Sequence, residues 1–224
     1  MANVRHDVVA VLILLSGCNE QAATARKQQL ELVAFGISKY RDFYGTLPPI
    51  FVTDADGHLL HTWRVLILPF VEGNGFTDQY DLTSPWNSHV NEDLRDGTRR
   101  NPDSKFPEPS TVGKVYLRPG AGNSSDTIFV ALVHVPLEEK SFTGNQKGFY
   151  LPVDKPFLII EMENSGIHWM EPRDIALNPD LASRELSFEE IKERIVRSAE
   201  IGKETKIRDR KETLQFVEDK LGKG

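Results

Sequence analysis

The sequence predicts an α+β fold, and three observations carry that expectation. From Gln21 to Tyr44, apolar residues recur at Leu30, Val33, Ile37, Tyr40 and Tyr44, the three-and-four spacing of one helix face. Further on come short runs rich in β-branched and aromatic residues: Val115 to Leu117, Ile128 to Val135 and Phe157 to Met162. Turns rich in Gly and Asn join these strands, and strands joined by short turns most simply pair antiparallel. A long helix followed by an antiparallel sheet is an α+β arrangement.

The first element precedes that helix. Arg5 and His6 lead into an apolar run from Val8 to Leu15, which ends in Leu15-Ser16-Gly17-Cys18. A basic start, a short apolar stretch and small residues are the order of a secretory signal peptide. The last four residues resemble the lipobox of bacterial lipoproteins. Small Ser16 and Gly17 suit a peptidase beside the scissile bond, and the Cys18 thiol is the nucleophile that takes a diacylglyceryl group. The apolar run is far shorter than the roughly 20 residues a membrane-crossing helix needs, so the lipid would be the anchor. Cys18 is the only cysteine, and lipidation removes a thiol that an oxidising compartment would otherwise attack.

The remaining elements follow in order. Gly45 ends the long helix and Pro48-Pro49 forbids its continuation. Asp54-Ala55-Asp56-Gly57 is a turn between two apolar stretches. The run Leu59 to Val71 does not separate helix from buried strand by period, and a short helix stopped or kinked near Pro69 is expected. Thr83 to Pro109, rich in Pro, Asn, Asp, Ser and Arg, reads as a surface loop. A fourth strand is expected at Ile167 to Met170, turned back by Asn164-Ser165-Gly166.

The tail has a different character. Ser187 and Glu190 form a capping-box pattern ahead of a charged helix with the stripe Phe188, Ile191, Ile195 and Ala199. Ile207, Leu214, Val217 and Leu221 make a second stripe. Such narrow stripes suit docking on the domain, pairing with a partner helix, or projection into solvent. The division that results is a lipoprotein signal peptide at 1–17, an α+β domain at 18–182 and a charged helical tail at 183–224.

Composition excludes several classes. With 39% hydrophobic and 27% charged residues, the chain has enough apolar surface for a core and is not a disordered segment. Its net charge of -6 and the lack of a basic stripe argue against nucleic acid as a partner. No metal or other cofactor is expected: Asp54, Asp56 and Gly57 start like a calcium loop but lack its distal Glu, and His58 and His61 complete no ligand set. Gly120 to Asp126 lacks the Lys and helix of a phosphate cradle and reads as a turn.

No complete catalytic set is visible. Glu161 and Glu163 alternate about Met162 and would share one side of a strand, with His168 and Glu171 near in sequence. They are the best catalytic candidates, although edge-strand carboxylates are ordinarily solvated. Trp63, Trp86 and Trp169, with Tyr80 and Tyr150, either pack in the core or line a sugar-binding face. Arg64 is expected to form a structural ion pair, with Asp78 or Asp81 as partners.

Several blocks taken together carry a family resemblance. They are Tyr44-Gly45-Thr46-Leu47-Pro48-Pro49, Asp54-Ala55-Asp56-Gly57, His61 through Pro69, Asp78-Gln79-Tyr80-Asp81, Pro85-Trp86-Asn87, and Glu161 leading into His168-Trp169-Met170-Glu171-Pro172-Arg173-Asp174. In this order they resemble the pilin-like domain of unknown function 1559 family of planctomycete bacteria, over roughly residues 25 to 180. The resemblance implies a pilin-like fold, a long N-terminal helix packed on an antiparallel sheet in an exported protein. A lipoprotein signal here takes the place of the family's prepilin signal.

The expected function is that of a non-enzymatic, lipid-anchored cell-envelope protein acting through protein contacts, facing the periplasm or the cell exterior. Its expected partners are the membrane, through the lipid on Cys18, and an envelope protein, through the C-terminal helix. Two alternatives stay open: an extracytoplasmic carbohydrate- or ligand-binding module, and an envelope hydrolase using Glu161, Glu163 and His168.

Overall fold

Helix α1 (Val4–Tyr44) is a single run of 41 residues, about 60 Å long at 1.5 Å per residue. In the computed structural model the described residues are 4–72, 79–96, 98–99, 108–109, 112–120, 124–176, 193–201 and 206–221, with only the backbone described for 4–19, 98–99, 108–109, 195, 217–218 and 220–221. Leu30, Val33, Ala34, Ile37 and Tyr40 of α1 are buried against helix α2 (Trp63–Val71) and the sheet beneath it. Gly36 sits at the helix crossing. A Cβ there would come within 2.5 Å of the Val71 Cγ2 methyl, so only glycine lets the two backbones approach this closely. Tyr44, read as part of the buried stripe, is exposed at the last turn of α1, where its ring meets only those of Tyr40, Phe43 and Phe70 among the described rings.

The strands are β1 (Phe51–Thr53), β2 (Leu59–Thr62), β3 (Thr98–Arg99), β4 (Glu108–Pro109), β5 (Phe129–Val133), β6 (Glu138–Ser141), β7 (Lys147–Tyr150), β8 (Phe157–Met162), β9 (Ile175–Ala176), β10 (Ile195–Ile201) and β11 (Lys206–Arg208). Among the described residues, one sheet has the order β2-β1-β7-β6, a second the order β11-β10-β8-β5-β9, and β3 pairs with β4. Pairing is antiparallel except between β5 and β9, which run parallel.

The five-stranded sheet is covered on both faces. Phe129, Ala131, Val133, Phe157 and Ile159 join the core beneath α1 and α2. Val130, Leu132, Leu158, Ile160 and Met162 form a second cluster on the opposite face, with Phe216 of the C-terminal helix α4 (Arg210–Leu221) packed on it. Burial on both sides is why β5 and β8 read as continuous apolar runs rather than alternating ones. The result is the expected α+β class, a long N-terminal helix with antiparallel sheets and a C-terminal helix.

Several local expectations change. The run Leu59 to Val71 divides into β2 and α2, and α2 continues two residues past Pro69. The lost amide lies in the last turn of a helix held by burial of Trp63 through Leu68. Val115 falls in a 3-10 turn (Lys114–Tyr116), which swings the Tyr116 hydroxyl to donate to the Arg64 carbonyl at 2.7 Å. Ile167 to Met170 is not a strand. Both edges of β8 are already taken, by β5 and β10, which leaves only an isolated bridge between Asp126 and His168.

The segment from Thr83 is more ordered than a loop. A 3-10 turn (His89–Asn91) leads into helix α3 (Glu92–Arg95), and the buried Asn91 amide donates to the carbonyls of Asp81, Ser84 and Pro85. In the tail, Ile195 and Ala199 belong to β10 rather than to a helix, and Ile207 to β11. Alternation wins over helical period because β8 offers an edge, along which Arg197, Ala199 and Ile201 pair with Glu161, Ile159 and Phe157. Ser187, Phe188, Glu190 and Ile191 lie outside the described residues, as do Asp78 and the glycine-rich positions 121–123. Among the described residues, no helix is long and apolar enough to cross a membrane.

Candidate functional site

A fully enclosed polar group is built from the start of α2. Trp63 and Arg64 open that helix, and both side chains are fully buried. Arg64 Nε donates to the Trp169 carbonyl at 3.0 Å, and Nη2 to the carbonyls of Glu171 and Arg173 at 2.9 Å each. Its Nη1 donates to the Phe129 carbonyl at 3.3 Å and to Asp174 Oδ1 at 2.7 Å. All five guanidinium N–H groups are therefore used. Asp174 also accepts from Trp63 Nε1 at 3.1 Å and from the Ala131 amide at 2.7 Å. Burial pushes its carboxyl up from the usual range, and Arg64 with these other donors opposes the shift. The Arg64 partner is thus Asp174, not Asp81, whose carboxylate instead accepts from Thr83 and Ser84.

The second polar group holds two of the candidate catalytic carboxylates. Glu161 lies on the central strand β8 and is buried, not on a solvated edge. Arg26 Nε of α1 is 3.0 Å from Glu161 Oε1, near enough for an ion pair though off the line of a hydrogen bond. Arg197 Nη1 donates to Oε2 at 3.3 Å and to the Ala23 carbonyl at 3.2 Å. Glu163, half exposed just past β8, lies 4.0 Å from Arg26 and 3.9 Å from Arg118. Desolvation raises the Glu161 pKa, and the two arginines pull against it. The two glutamates do share a side, as their alternation implied.

His168 is held elsewhere. Its Nε2 donates to the Arg95 carbonyl at 3.0 Å and its Nδ1 accepts from the Met170 amide at 3.1 Å. A carbonyl can only accept and an amide N–H can only donate, so the neutral tautomer with hydrogen on Nε2 is fixed and both nitrogens are occupied. The ring packs between Trp86 and Trp169, and burial lowers its pKa. Among the described contacts, none joins His168 to Glu161 or Glu163.

The other sequence candidates resolve similarly. The Asp54, Asp56 and His58 ligand atoms lie within 4.8 Å of one another on the β1–β2 turn. Asp54 Oδ1 accepts from the amides of Asp56 and His58, and Oδ2 pairs with His58 Nδ1 at 2.9 Å, which is the hydrogen bonding of a turn. His61 stands apart, buried between the Tyr80 hydroxyl and the Leu82 carbonyl. Trp63, Trp169, Tyr80 and Tyr150 are buried and Trp86 partly so, so these aromatics pack rather than form an open face. The backbone of Leu15, Ser16, Gly17 and Cys18 lies within α1, and their side chains are outside the description.

Among the described residues, large exposed apolar side chains occur at Leu59, Leu82, Val90 and Val153 and as a group on α1. Leu32, Phe35, Phe43 and Tyr44 of α1 are 47%, 49%, 74% and 57% exposed. The signal was present: residues 32, 35 and 43 fall off the stripe of Leu30, Val33, Ile37 and Tyr40 and have no role in it.

A family model described as protein of unknown function (DUF1559) matches residues 25–149, more than half of the chain. The chain belongs to that family. No curated protein and no solved structure matches it. The DUF1559 match runs from within α1 to within β7 and includes Arg26 and Arg64. Their partners Glu161, Arg197 and Asp174 all lie beyond it, so both buried ion groups fasten the DUF1559 segment to the rest of the chain.

Proposed function

We propose that this DUF1559 protein is a lipid-anchored component of the cell envelope that acts through protein–protein contacts and not by catalysis. The observation that carries the reading is Leu15-Ser16-Gly17-Cys18 at the end of a short apolar run. Three further features support it. The buried carboxylates Glu161 and Asp174 are occupied by arginines, His168 has neither nitrogen to spare, and α1 carries the exposed apolar residues Leu32, Phe35 and Phe43. A contact surface on α1 fits better than one on α4, whose Phe216 and Thr213 already pack on the sheet.

The test is processing. Globomycin treatment, or Cys18→Ala, is expected to leave a chain longer by 17 residues, to abolish palmitate labelling and to release or mislocalise the protein. Unchanged mobility, labelling and location would overturn the proposal.

A further inference from the structure

The outward face of α1 is used by neither buried ion group. Along it the exposed Leu32 and Phe35 are flanked by Gln28, Lys39 and Asp42. Beside them a groove of about 480 Å³ runs between α1 and β11, bounded by Lys27, Glu31, Ala34, Phe35, Ser38 and Ile207. Glu31, Ala34, Phe35 and Ser38 stand at i, i+3, i+4 and i+7. The buried Ala34 floors the hole these form and Ile207 of β11 walls one side, which leaves room for one side chain from a facing helix.

Charge selects the occupant. Glu31 lies four residues before Phe35 and Lys39 four after it, while Lys27 lies eight before and Asp42 seven after. A second copy turned end for end about Phe35 therefore sets Glu31 against Lys39 at both symmetric places, with Lys27 and Asp42 one residue out of register. Parallel copies would set each charge against itself. A lipid surface would have to accept Glu31 and Asp42 beside the apolar residues at a desolvation cost. Within one copy Lys39 lies 3.8 Å from Asp42 and 5.5 Å from the centre of the Phe35 ring, which keeps its ammonium on this face.

We infer that α1 is a self-docking surface. Two copies of the chain pair antiparallel through this face, with Phe35 of each seated in the Glu31–Ala34–Phe35–Ser38 hole of the other. The inference does not depend on lipidation of Cys18. One helix pair makes a small interface, so the dissociation constant is expected in the micromolar range.

The experiment uses the full chain carrying Cys18→Ala, which then has no cysteine. Sedimentation equilibrium should show a reversible dimer of the 25.3 kDa chain. Phe35→Asp should abolish it with unchanged circular dichroism, since Phe35 is exposed and outside the core. Glu31→Lys and Lys39→Glu should each weaken association about tenfold, and the double exchange should restore it. Oxidation of Phe35→Cys should cross-link two copies, while Phe43→Cys should not, because antiparallel pairing separates the two copies of residue 43 by more than 20 Å. A monomer at every concentration to ~100 µM overturns the inference. So does equal cross-linking at both positions, or binding to phosphatidylglycerol vesicles that Phe35→Asp abolishes without any self-association.

Discussion

Arg64 at the start of α2 and Asp174 at the entry to β9 meet at 2.7 Å with both side chains shut from solvent. They are 110 residues apart in the chain, and their contact closes the core over Trp63, Tyr116 and Trp169. Two charges taken out of water this completely are held only because every donor of the guanidinium has an acceptor. Removing one partner leaves the other as an uncompensated buried charge.

Asp174→Ala should therefore destabilise the fold by about 3–5 kcal/mol. Asp174→Asn should cost less, because its side-chain oxygen can still accept from Arg64 and from the Ala131 amide. Urea denaturation midpoints measure both. A loss below about 1 kcal/mol for Asp174→Ala would place the pair among ordinary surface bridges and refute the account.

The Arg26–Glu161–Arg197 group is the anchor of α1 toward its N-terminal half. Glu161→Ala should loosen that half alone. Hydrogen exchange is expected to quicken in residues 20–29, while the turns carrying Leu30, Val33 and Ile37 stay protected by the core. Uniform loss of protection along α1 would show that the group supports the whole fold and not one end of the helix.

His61 gives the fold an acid limit. Burial lowers its pKa to about 4, against an ordinary value near 6.5, so between those values the unfolded chain binds the extra proton. Its contribution is complete above about pH 6.5 and is lost as pH falls through 4, a total of about 3 kcal/mol. His168, lowered by the same cause, acts in the same direction. Glu72 opposes this loss over the same range, so the test is the difference between variants: His61→Gln should retain more stability than the parent as pH falls from 7 to 4. An equal change in the two proteins removes His61 as a source of the acid limit.

Glu72 acts in the opposite sense. Both of its oxygens accept from the Gly113 amide, at 3.0 and 3.2 Å, and burial raises its pKa to about 7. The folded chain holds this proton more tightly, so the stabilisation present below about pH 4.5 is lost as pH rises through 7. Glu72→Gln keeps an acceptor for Gly113 and has no proton to lose. It should raise the denaturation midpoint at pH 8 by the equivalent of about 2–3 kcal/mol and leave pH 4 nearly unchanged. Gly113 itself cannot be replaced at the same site, because its φ is +77° and a Cβ would come within 2.6 Å of the Trp169 ring. Equal gains at both pH values would show that the carboxylate charge is not the cause.

Much of this was legible in the chain, and the failures have one cause. The stripe Leu30, Val33, Ile37 and Tyr40 was readable because helical period is local, and the β8 run was readable because burial on both faces leaves no polar alternation. Arg64 was readable as a structural ion-pair residue but not its partner, since the choice of Asp174 depends on where α2 meets β5 and β9. Glu161 looked solvated because nothing local announces that β10 pairs beside it and brings Arg197. His168 looked available until its tautomer was fixed by the carbonyl of Arg95, 73 residues away.

The sequence by itself determined the class of the fold, the long helix, the family blocks and the expectation of a lipid on Cys18. Each rests on period or on short-range chemistry that neighbouring residues carry alone. The tertiary structure decided which charges are buried, which nitrogens are occupied and which face of α1 remains uncovered. Burial and pairing are properties of what lies opposite a residue, and only the folded chain brings those partners together.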